Sequence, residues 1–492
     1  MSPNSRLPAI AGVAARTQRA PDPREALGPL DLMEQVLRSA AEDAGAPKLL
    51  ENLDAILVPQ GLWKHGDPGR ELAERVGASS VTTGVGEVSG HIVQTLLDWA
   101  FREIAAGRRD VVAVVGAESE NSRRRLTRQG IPIPWKDGTP GEPDLRIGSD
   151  KWTLLEHERN AGVFLARNSF ALCDTALRHA RGESPLQHRV RISELYSRLS
   201  AVAARNPHAW IDRHVSAEEI RTPTPANRMV SYPYTKLMTS NIAVDQAGAL
   251  ILCSVDAARR FGIADDRLVY LRAATEMHHV RSLSEREHLY HHPGMQMAGQ
   301  RVLELVDTPA SKIAHVDLYS CFPFAVQAGA AALGLDEQRP LTVTGGLTFG
   351  GGPFANYVIQ ATARTISLLR EQPGSLGLVG SIGGTFAKFA FGIYSTDPGD
   401  KPGLQIEDVS AGFAAIPGVP YASESHGDVS VESYVVDVEA SGPVKAIFSG
   451  KNAAGERVWA KSEDPELMAA LIADEDACGR EAQVRDGVLA LR

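Results

Sequence analysis

Short apolar runs alternate with longer amphipathic segments along the first 120 residues. The runs 54-DAILVP-59 and 110-DVVAVVGAES-119 are rich in β-branched residues and have the length of buried strands. Between them, residues 89–107 carry apolar side chains near helical spacing, among them Ile92 and Leu96. A strand, a helix and a second strand in this order predict an α/β protein with buried parallel strands.

The same pattern returns later in the chain. Gly90 opens the first helix-like stretch, and Gly352 opens another that leads to 375-SLGLVGSIGG-384, at an offset of about 262 to 265 positions. This repeat predicts two similar α/β halves, which we place at residues 1–260 and 261–400. Within the first half, residues at about 121–240 lack the strand rhythm, and this composition predicts a long, mostly helical insertion.

The pattern changes after about residue 402. Three strand-like runs, 429–438, 443–450 and 456–462, are separated by glycine-bearing turns, and residues 464–475 have the pattern of a helix. We therefore expect residues 404–492 to form a small OB-like β-barrel domain. Aromatic residues and lysines alternate here as in any amphipathic barrel, so they do not by themselves indicate nucleic-acid binding.

The composition, with 43% hydrophobic and 23% charged residues, is that of an ordinary globular protein. A formal net charge of -9 gives no reason to expect a nucleic-acid or anionic-membrane partner. The four cysteines are scattered, which argues against a disulfide framework or a zinc site and fits a reducing cytosol. The N-terminus lacks the pattern of a secretory signal and no apolar run is long enough to span a membrane, so we expect a cytoplasmic protein.

Four segments, in this order, resemble the thiolase superfamily: VGAES closing a strand at 115–119, VDLYSCFPFAVQ at 316–327, TGGLTFGGGP at 344–353 and LVGSIGG at 378–384. With the added C-terminal segment, the chain is most similar to type 1 thiolase-like proteins, often labelled acetyl-CoA acetyltransferases. The resemblance implies a five-layer αβαβα sandwich. It also implies an active site between the two halves, where the N-termini of two central helices meet.

The resemblance indicates that the usual reactive side chains of thiolases are absent. Thiolases use a nucleophilic cysteine, the Asn of an NEAF motif, the His of a GHP motif and the first Cys of a CxG motif. These positions fall here on Gly90, Tyr319, Gly352 and Ser381. Glycine cannot carry an acyl group, and a serine hydroxyl is a poor base without a partner.

Backbone groups remain available for binding. Gly351, Gly352 and Gly383, together with Gly90 and the adjoining His91, are the expected substrate-binding positions. Glycines permit close approach and can offer N–H groups to a carbonyl or phosphate oxygen, although each is equally explained by a tight turn.

The candidate catalytic residues are Tyr319, Cys321, Tyr357 and Ser381. Cys321 lies in the segment that matches an active-site loop, either as a nucleophile or as a packed thiol. Some thiolase-like aldolases resemble this chain in having tyrosines at the positions of Tyr319 and Tyr357. Such a pair would pass a proton to and from a β-hydroxy group in a retro-aldol step, or would simply line a pocket.

Other polar clusters in the sequence give weaker indications of function. Ser89 and His91 are too close in sequence for us to expect the hydroxyl on the imidazole, and the chain has no GxSxG motif, so we do not predict a serine hydrolase. The histidine pairs at 278–279 and 291–292 lack metal-binding spacing, and we interpret them as solvated loop histidines. We therefore expect no metal.

Three functions stay open from the sequence. The first is an acyl-CoA-binding, acetyl-CoA acyltransferase-like or carbon–carbon bond enzyme with a non-standard site. The others are a retro-aldolase acting on β-hydroxyacyl-CoA through tyrosines, and a non-catalytic protein that holds a CoA ester or lipid. Coenzyme A thioester enters as substrate or ligand, and no cofactor is expected. The resemblance implies a homodimer, and the added β domain offers a surface for a protein partner.

Overall fold

The computed structural model describes residues 6–149 and 154–492. Residues 1–5, which we assigned to the first half, and residues 150–153, within the predicted insertion, lie outside the described part. Within the described part, no helix is both long enough and apolar enough to cross a bilayer.

The first half begins with alternating strands and helices, as the sequence predicts. In chain order its elements are β1 (Pro8–Thr17), α1 (Pro29–Asp43), β2 (Ala55–Pro59), β3 (Lys64–His65), α2 (Pro68–Val76), β4 (Thr82–Gly86), α3 (Ile92–Ala105) and β5 (Val111–Ser119). Elements β2, α3 and β5 confirm the two strands and the helix predicted from the apolar pattern. Strand β2 pairs in parallel with β4 and β5, and every residue of β2 and β5 is buried.

The insertion is mostly helical and also contributes short strands. Its elements are α4 (Glu120–Arg128), β6 (Gly138–Thr139), β7 (Leu145–Ile147), α5 (Glu156–Ala161), α6 (Ala166–Ala180), α7 (Pro185–Ala203), α8 (Ala217–Arg221), β8 (Met229–Ser231) and β9 (Tyr234–Thr235). The first half ends with β10 (Asp245–Ser254) and α9 (Val255–Phe261). Strand β10 pairs antiparallel with β1 on one side and with β5 on the other.

The second half repeats the topology of the first. Its elements are β11 (Val269–Met277), α10 (Pro293–Leu305), β12 (His315–Asp317), α11 (Pro323–Leu333), α12 (Gly346–Phe349), α13 (Tyr357–Glu371), β13 (Gly377–Gly383) and β14 (Lys388–Ser395), followed by β15 (Ile406–Asp408) and α14 (Ser410–Ala414). The strand order is β1-β10-β5-β2 in one half and β11-β14-β13-β12 in the other. Counted along the chain, these are equivalent strands, so the sequence repeat is a structural repeat.

Short pairing between β1 and β11 joins the two halves into one eleven-stranded sheet. Helices α3 and α13 contact each other and pack on strands of both halves. Helices α1 and α2 cover the first half, and α10 packs on β11 and β14 of the second with α11 beside it. The layers therefore follow the αβαβα order expected from the resemblance.

Helix α13 begins later than the sequence suggested. We predicted its start at Gly352, but it starts at Tyr357 because a 3₁₀ turn at Phe354–Asn356 comes first. The glycine-rich segment before it contains the short helix α12 and turns with positive φ at Gly345, Gly346 and Gly351. Glycine is needed at such backbone angles, and it delays the regular helix.

The C-terminal segment is a strand-rich domain. It contains β16 (Gly427–Glu439), β17 (Gly442–Lys451), β18 (Arg457–Ser462), α15 (Pro465–Ile472), β19 (Glu481–Arg485) and β20 (Val488–Leu491). Strands β17, β18, β20, β19 and β16 pair in that order and β16 also pairs with β17, so five strands close into a ring. Phe448 and Trp459 are buried in it, so neither ring can stack on a base. Its OB-like classification stays a prediction.

The insertion and the second half hold this domain in place. Strand β8 extends the domain's sheet by pairing with β16 through Ser231 and Asp437. An ion pair of 2.8 Å joins Arg167 of α6 to the same Asp437. On another side, the Trp459 indole N–H donates a 2.8 Å hydrogen bond to Ser284 Oγ, in the loop between β11 and α10. The domain is thus held by both the insertion and the second half.

Candidate active site

The candidate site lies at the junction of the two halves, where several loops meet. The loop between β4 and α3 supplies Ser89 and Gly90, the segment after β12 supplies Tyr319 and Cys321, and the end of β13 supplies Gly383. Each segment follows the carboxyl end of a strand, which is where α/β proteins commonly bind ligands.

These segments enclose a mainly apolar cavity of about 240 Å³, which we call the junction cavity. Its apolar walls include Val88, Phe170, Ile242, Phe322 and Ile382. Val88 and Ile242 are 41% and 37% exposed, so they form an apolar rim where the cavity meets solvent. The size and lining suit a small or medium acyl group.

The Tyr319 hydroxyl occupies the space that a side chain on Gly90 would fill. A Cβ added to Gly90 would lie 2.2 Å from Tyr319 Oη and 2.4 Å from the carbonyl oxygen of Ile382. The resemblance assigns the thiolase nucleophile to Gly90, so a phenol hydroxyl stands here in place of a thiol. Burial raises the pKa of Tyr319 well above its ordinary value, so the hydroxyl keeps its proton and is able to donate a hydrogen bond.

Cys321 lines the same cavity and is 8% exposed. Burial raises the pKa of the Cys321 thiol, which therefore stays protonated. Its backbone carbonyl accepts a 2.9 Å hydrogen bond from the Ser240 N–H, which fixes the loop against the end of the insertion. A buried thiol without a thiolate form is a weak nucleophile.

Tyr357 is held away from the junction cavity. Its hydroxyl donates to Asp317 Oδ1 at 2.8 Å and lies 2.7 Å from Thr344 Oγ1. The Tyr357 ring meets the Tyr319 ring edge to face, with 5.7 Å between centroids. The structure thus brings the two rings into contact, while the Tyr357 hydroxyl is already engaged with a carboxylate. Tyr357 and Gly351 line a separate cavity on the other side of the glycine-rich segment.

Three of the expected glycines, Gly90, Gly352 and Gly383, lie at the junction cavity, and the last two shape it in different ways. The Gly352 N–H donates to the Asn241 carbonyl at 3.0 Å, so it is already used within the protein. A Cβ on Gly383 would lie 2.0 Å from Ser89 Oγ and 2.4 Å from His91 Nδ1. Gly383 therefore permits the end of β13 to pass directly over these two side chains.

Ser381 lies inside the sheet rather than at the cavity. Its side chain donates a 3.1 Å hydrogen bond to the carbonyl of Ala390 on the neighbouring strand β14. The residue is 2% exposed. The structure therefore brings together Gly90, Tyr319, Cys321, Gly352 and Gly383, and separates Tyr357, Gly351 and Ser381 from them.

His91 belongs to a chain of hydrogen-bonded side chains, Ser89–His91–His278–Glu276, that lies behind the cavity. We did not predict this chain from the sequence. Its Nδ1 is 2.6 Å from Ser89 Oγ, and its Nε2 is 3.2 Å from His278 Nδ1. His278 Nε2 is in turn 2.9 Å from Glu276 Oε2. The expectation that Ser89 and His91 do not meet is wrong, because the loop before α3 turns both side chains to the same side.

The interpretation of the histidine pairs as solvated is also wrong in part. His278 is largely buried, with 27% of its side chain exposed, and His292 is buried at 3%. Burial lowers the pKa of His292 well below its ordinary value, and its ring packs on Phe389 with 4.6 Å between centroids. Among residues 6–149 and 154–492, no group of three or more His, Cys, Asp or Glu side chains is arranged to hold a metal.

A buried charge cluster lies on the far side of Ser89. Lys388 Nζ is 2.8 Å from both carboxylate oxygens of Glu87. Nearby Arg286 is 4% exposed, and within the described residues its Nε and Nη1 have no hydrogen-bond partner. Burial lowers the pKa of Arg286 to about 10, so the guanidinium is still charged at neutral pH. Ser89, Lys388 and Arg286 all line a small cleft of about 20 Å³, room for about one water.

Comparison with known proteins agrees with the fold described above. Residues 408–487 match the family described as thiolase-like protein type 1 additional C-terminal domain. Over 99% of both chains, the structure matches a monomeric SCP2-thiolase like protein type 1 from Mycobacterium smegmatis, with 28% identity and a TM-score of 0.83. The chain has the fold and the additional domain of type 1 thiolase-like proteins.

More distant solved structures share the thiolase-like core. The Ltp2-ChsH2(DUF35) aldolase matches with 17% identity and a TM-score of 0.60, over 80% of this chain and 98% of that one. Human mitochondrial 3-ketoacyl-CoA thiolase matches with 17% identity and a TM-score of 0.56, over 80% of this chain and 99% of that one. No protein of curated function matches the sequence.

Some residues and contacts of the site could not be found from the sequence. Ser89 and His91 are next to a position that the resemblance marks, so they were visible, but their mutual hydrogen bond was not. Glu276 and His278 lie at the end of β11. His278 is 187 positions away from His91 in the sequence. Only the packing of β11 beside α3 brings them together.

Proposed function

We propose that this thiolase-like protein binds acyl-CoA thioesters in the junction cavity and catalyses a carbon–carbon bond step without an enzyme thiolate. The observation that carries the proposal is the Tyr319 hydroxyl in the space of the Gly90 side chain. A donor in that space faces the group that the thiolase nucleophile would otherwise attack. The human 3-ketoacyl-CoA thiolase, which shares the fold, supports acyl-CoA as the ligand class, and the Ltp2-ChsH2(DUF35) aldolase shows the same fold in a protein named for carbon–carbon chemistry.

Tyr319 acts as a hydrogen-bond donor in this proposal. Because burial raises the pKa of its hydroxyl, the proton stays on Tyr319 at neutral pH. Such a donor stabilises the negative charge that develops on a thioester enolate or on a β-oxygen. The role suits condensation or cleavage next to the thioester. It does not require Tyr357, whose hydroxyl is bound to Asp317.

The first experiment compares wild type with Tyr319→Phe on 3-ketoacyl-CoA and 3-hydroxyacyl-CoA thioesters of different length. We expect both proteins to bind the thioesters with similar affinity in calorimetry. We expect the variant to lose about 100- to 1,000-fold in the rate of carbon–carbon cleavage or formation, as when an oxyanion donor is removed. The rate of wild type should not fall between pH 6 and 9, because Tyr319 stays protonated in that range.

Tyr357→Phe is the matched control. It removes a hydroxyl from Asp317 and Thr344 outside the junction cavity, so we expect lower thermal stability and a nearly unchanged rate per folded molecule. An equal loss of rate in both tyrosine variants would favour the retro-aldol mechanism through a tyrosine pair. Tight binding of every thioester without turnover would overturn the catalytic proposal and leave a CoA-ester binding protein.

A further inference from the structure

Ser89 faces the junction cavity and is backed by buried polar side chains that the proposed function does not use. Its Oγ is 2.6 Å from His91 Nδ1, and His91 is completely buried while Ser89 is 7% exposed. The other nitrogen of His91 meets His278, which in turn meets Glu276. A hydroxyl on an imidazole that is oriented by a further group is the arrangement of an activated serine nucleophile.

The loop before α3 holds this pair in a defined geometry. Ser89 and His91 lie on either side of Gly90, and the chain turns there so that His91 precedes the first residue of α3. The end of β13 lies over both side chains, at a point where any residue larger than Gly383 would collide with them. The hydroxyl therefore has a fixed partner on one side and the cavity on the other.

The tautomer of His91 decides whether it can accept the Ser89 proton. When His278 is neutral, its Nε2–H donates to Glu276 and its Nδ1 accepts from His91 Nε2–H, which leaves His91 Nδ1 free to accept from Ser89. When His278 is protonated, both of its nitrogens donate. His91 Nε2 must then accept, its Nδ1 carries the proton, and Ser89 loses its base.

Several charged groups lie near the Ser89–His91–His278–Glu276 chain and affect the pKa values of its two histidines. Glu87 Oε1 is 3.5 Å from His91 Nε2, and Glu87 is itself paired with Lys388. Asp98 lies next to Glu276, and the charge of Asp408, the last residue of β15, raises the pKa of His278.

These surroundings set the protonation of the two histidines. Burial, with the added effect of His278 and Lys388, lowers the pKa of His91 well below its ordinary value. Burial alone would also lower the pKa of His278, but the hydrogen bond and charge of Glu276 outweigh it and raise that pKa. Of the two histidines, His278 is therefore the one that takes up a proton at the higher pH.

We propose that Ser89, with His91 as its base, is the nucleophile of a hydrolytic activity on acyl thioesters. Ser89 Oγ forms a bond to the thioester carbonyl carbon and the carbon–sulfur bond breaks. The Ser89 proton passes through His91 Nδ1 to the departing thiolate. Water then bonds to the same carbon, the bond to Ser89 Oγ breaks, and one water proton returns through His91 to Ser89. The net reaction consumes one thioester and one water and releases one carboxylic acid and one free thiol.

The test uses the full chain with an alkyl fluorophosphonate, which reacts with activated serines, followed by intact mass measurement. We expect one adduct per chain on wild type and none on Ser89→Ala. We expect His91→Asn to slow labelling by about 100-fold, the usual loss when a general base is removed. Release of free thiol from octanoyl-CoA should follow the same order.

The pH profile separates an activated serine from a serine that is only hydrogen-bonded. In wild type, labelling should rise with pH through the pKa of His278, which lies above the ordinary value of about 6.5. In His278→Ala that step should disappear, while the Glu87 carboxylate near His91 Nε2 keeps the active tautomer. A profile that is identical in both proteins would overturn the assignment of His278.

Ser193→Ala is the control, because Ser193 is a buried serine of α7 that donates to the Val190 carbonyl away from the cavity. It should label like wild type. An adduct that persists in Ser89→Ala, or the lack of any adduct and any thiol release in folded wild type, would overturn the proposal. If this test fails while the carbon–carbon reaction still depends on Tyr319, only the Ser89 proposal is contradicted. If Ser89 is labelled but no carbon–carbon turnover is detected, only the function proposed for Tyr319 is contradicted.

Discussion

At the scale of single residues, the wall of the site contains a buried ion pair that is fully formed. Lys388 and Glu87 have side chains that are each 4% exposed, and Lys388 Nζ also donates to the Ser149 carbonyl at 2.5 Å. Glu87→Gln leaves a buried ammonium without its counter-ion. We expect this change to lower the free energy of unfolding by about 3–5 kcal/mol in chemical denaturation.

The double variant Glu87→Gln/Lys388→Met is the matched control. It removes both charges and keeps similar volumes, so it should recover a large part of the lost stability. A double variant as unstable as the single one would contradict the view that the unpaired charge is the cause. It would point instead to the packing of the Glu87 side chain between β4 and α3.

At the scale of elements, the site depends on how closely the end of β13 approaches the start of α3. Gly383 is the contact point, and a Cβ there would stand 2.0 Å from Ser89 Oγ. Gly383→Ala must push the strand and the loop apart, which we expect to cost about 1–3 kcal/mol of stability. The same change should abolish the fluorophosphonate adduct, because Ser89 and His91 lose their alignment. Thermal unfolding and intact mass measure the two effects separately.

Gly329→Ala in α11 is a control that adds the same methyl group at a position where it meets its neighbours only at ordinary contact distance. A Cβ there would lie 3.4 Å from its nearest neighbours, an ordinary contact, and alanine favours a helix over glycine. This variant should be as stable as wild type or more so and should label normally. An equal loss of stability and labelling in Gly329→Ala and Gly383→Ala would show that any methyl group added to the core is harmful. The close approach at the end of β13 would then not be the cause.

At the scale of the whole molecule, the C-terminal domain is docked on the loop that carries Arg286. The Arg457 guanidinium donates to the carbonyls of Leu283, Ser284 and Arg286 at 2.8, 3.1 and 2.5 Å, and its side chain is 1% exposed. Its charge is balanced by Glu432 at 2.8 Å. Arg457→Met leaves three buried carbonyls without this donor.

We expect Arg457→Met to lower the free energy of unfolding by about 3–5 kcal/mol, because it also leaves Glu432 without its partner. Calorimetry should still show one transition for wild type and an earlier, separate transition of the domain in the variant. Arg480→Met is the control, since Arg480 makes an exposed ion pair with Glu475 and a long 3.4 Å hydrogen bond to the Arg492 carbonyl, and its loss should change stability by less than about 1 kcal/mol. A single, unshifted transition in Arg457→Met would contradict a structural role for this contact. The homodimer and the protein partner of the domain stay predictions.

Local pattern in the sequence determined much of this protein. The β2-α3-β5 unit, the repeat of the two halves and the first three strands of the C-terminal domain follow from apolar periodicity and turn residues, which act over a few neighbouring positions. The resemblance marked Gly90, Tyr319 and Gly383, and these residues do meet at one cavity. The short strands β19 and β20 escaped prediction because few residues, with exposed and charged positions among them, give a weak pattern.

The tertiary structure decided which of the marked residues face the same space. Tyr357 and Ser381 stand in the right segments, yet the hydroxyl of one is bound to Asp317 and that of the other to the neighbouring strand. His278 reaches His91 from a distant strand. Sequence periodicity fixes the face of an element on which a side chain lies, but the partner on the opposing face depends on how distant elements pack. That packing is set by the whole core, and it placed the Tyr319 hydroxyl in the space that a side chain on Gly90 would fill.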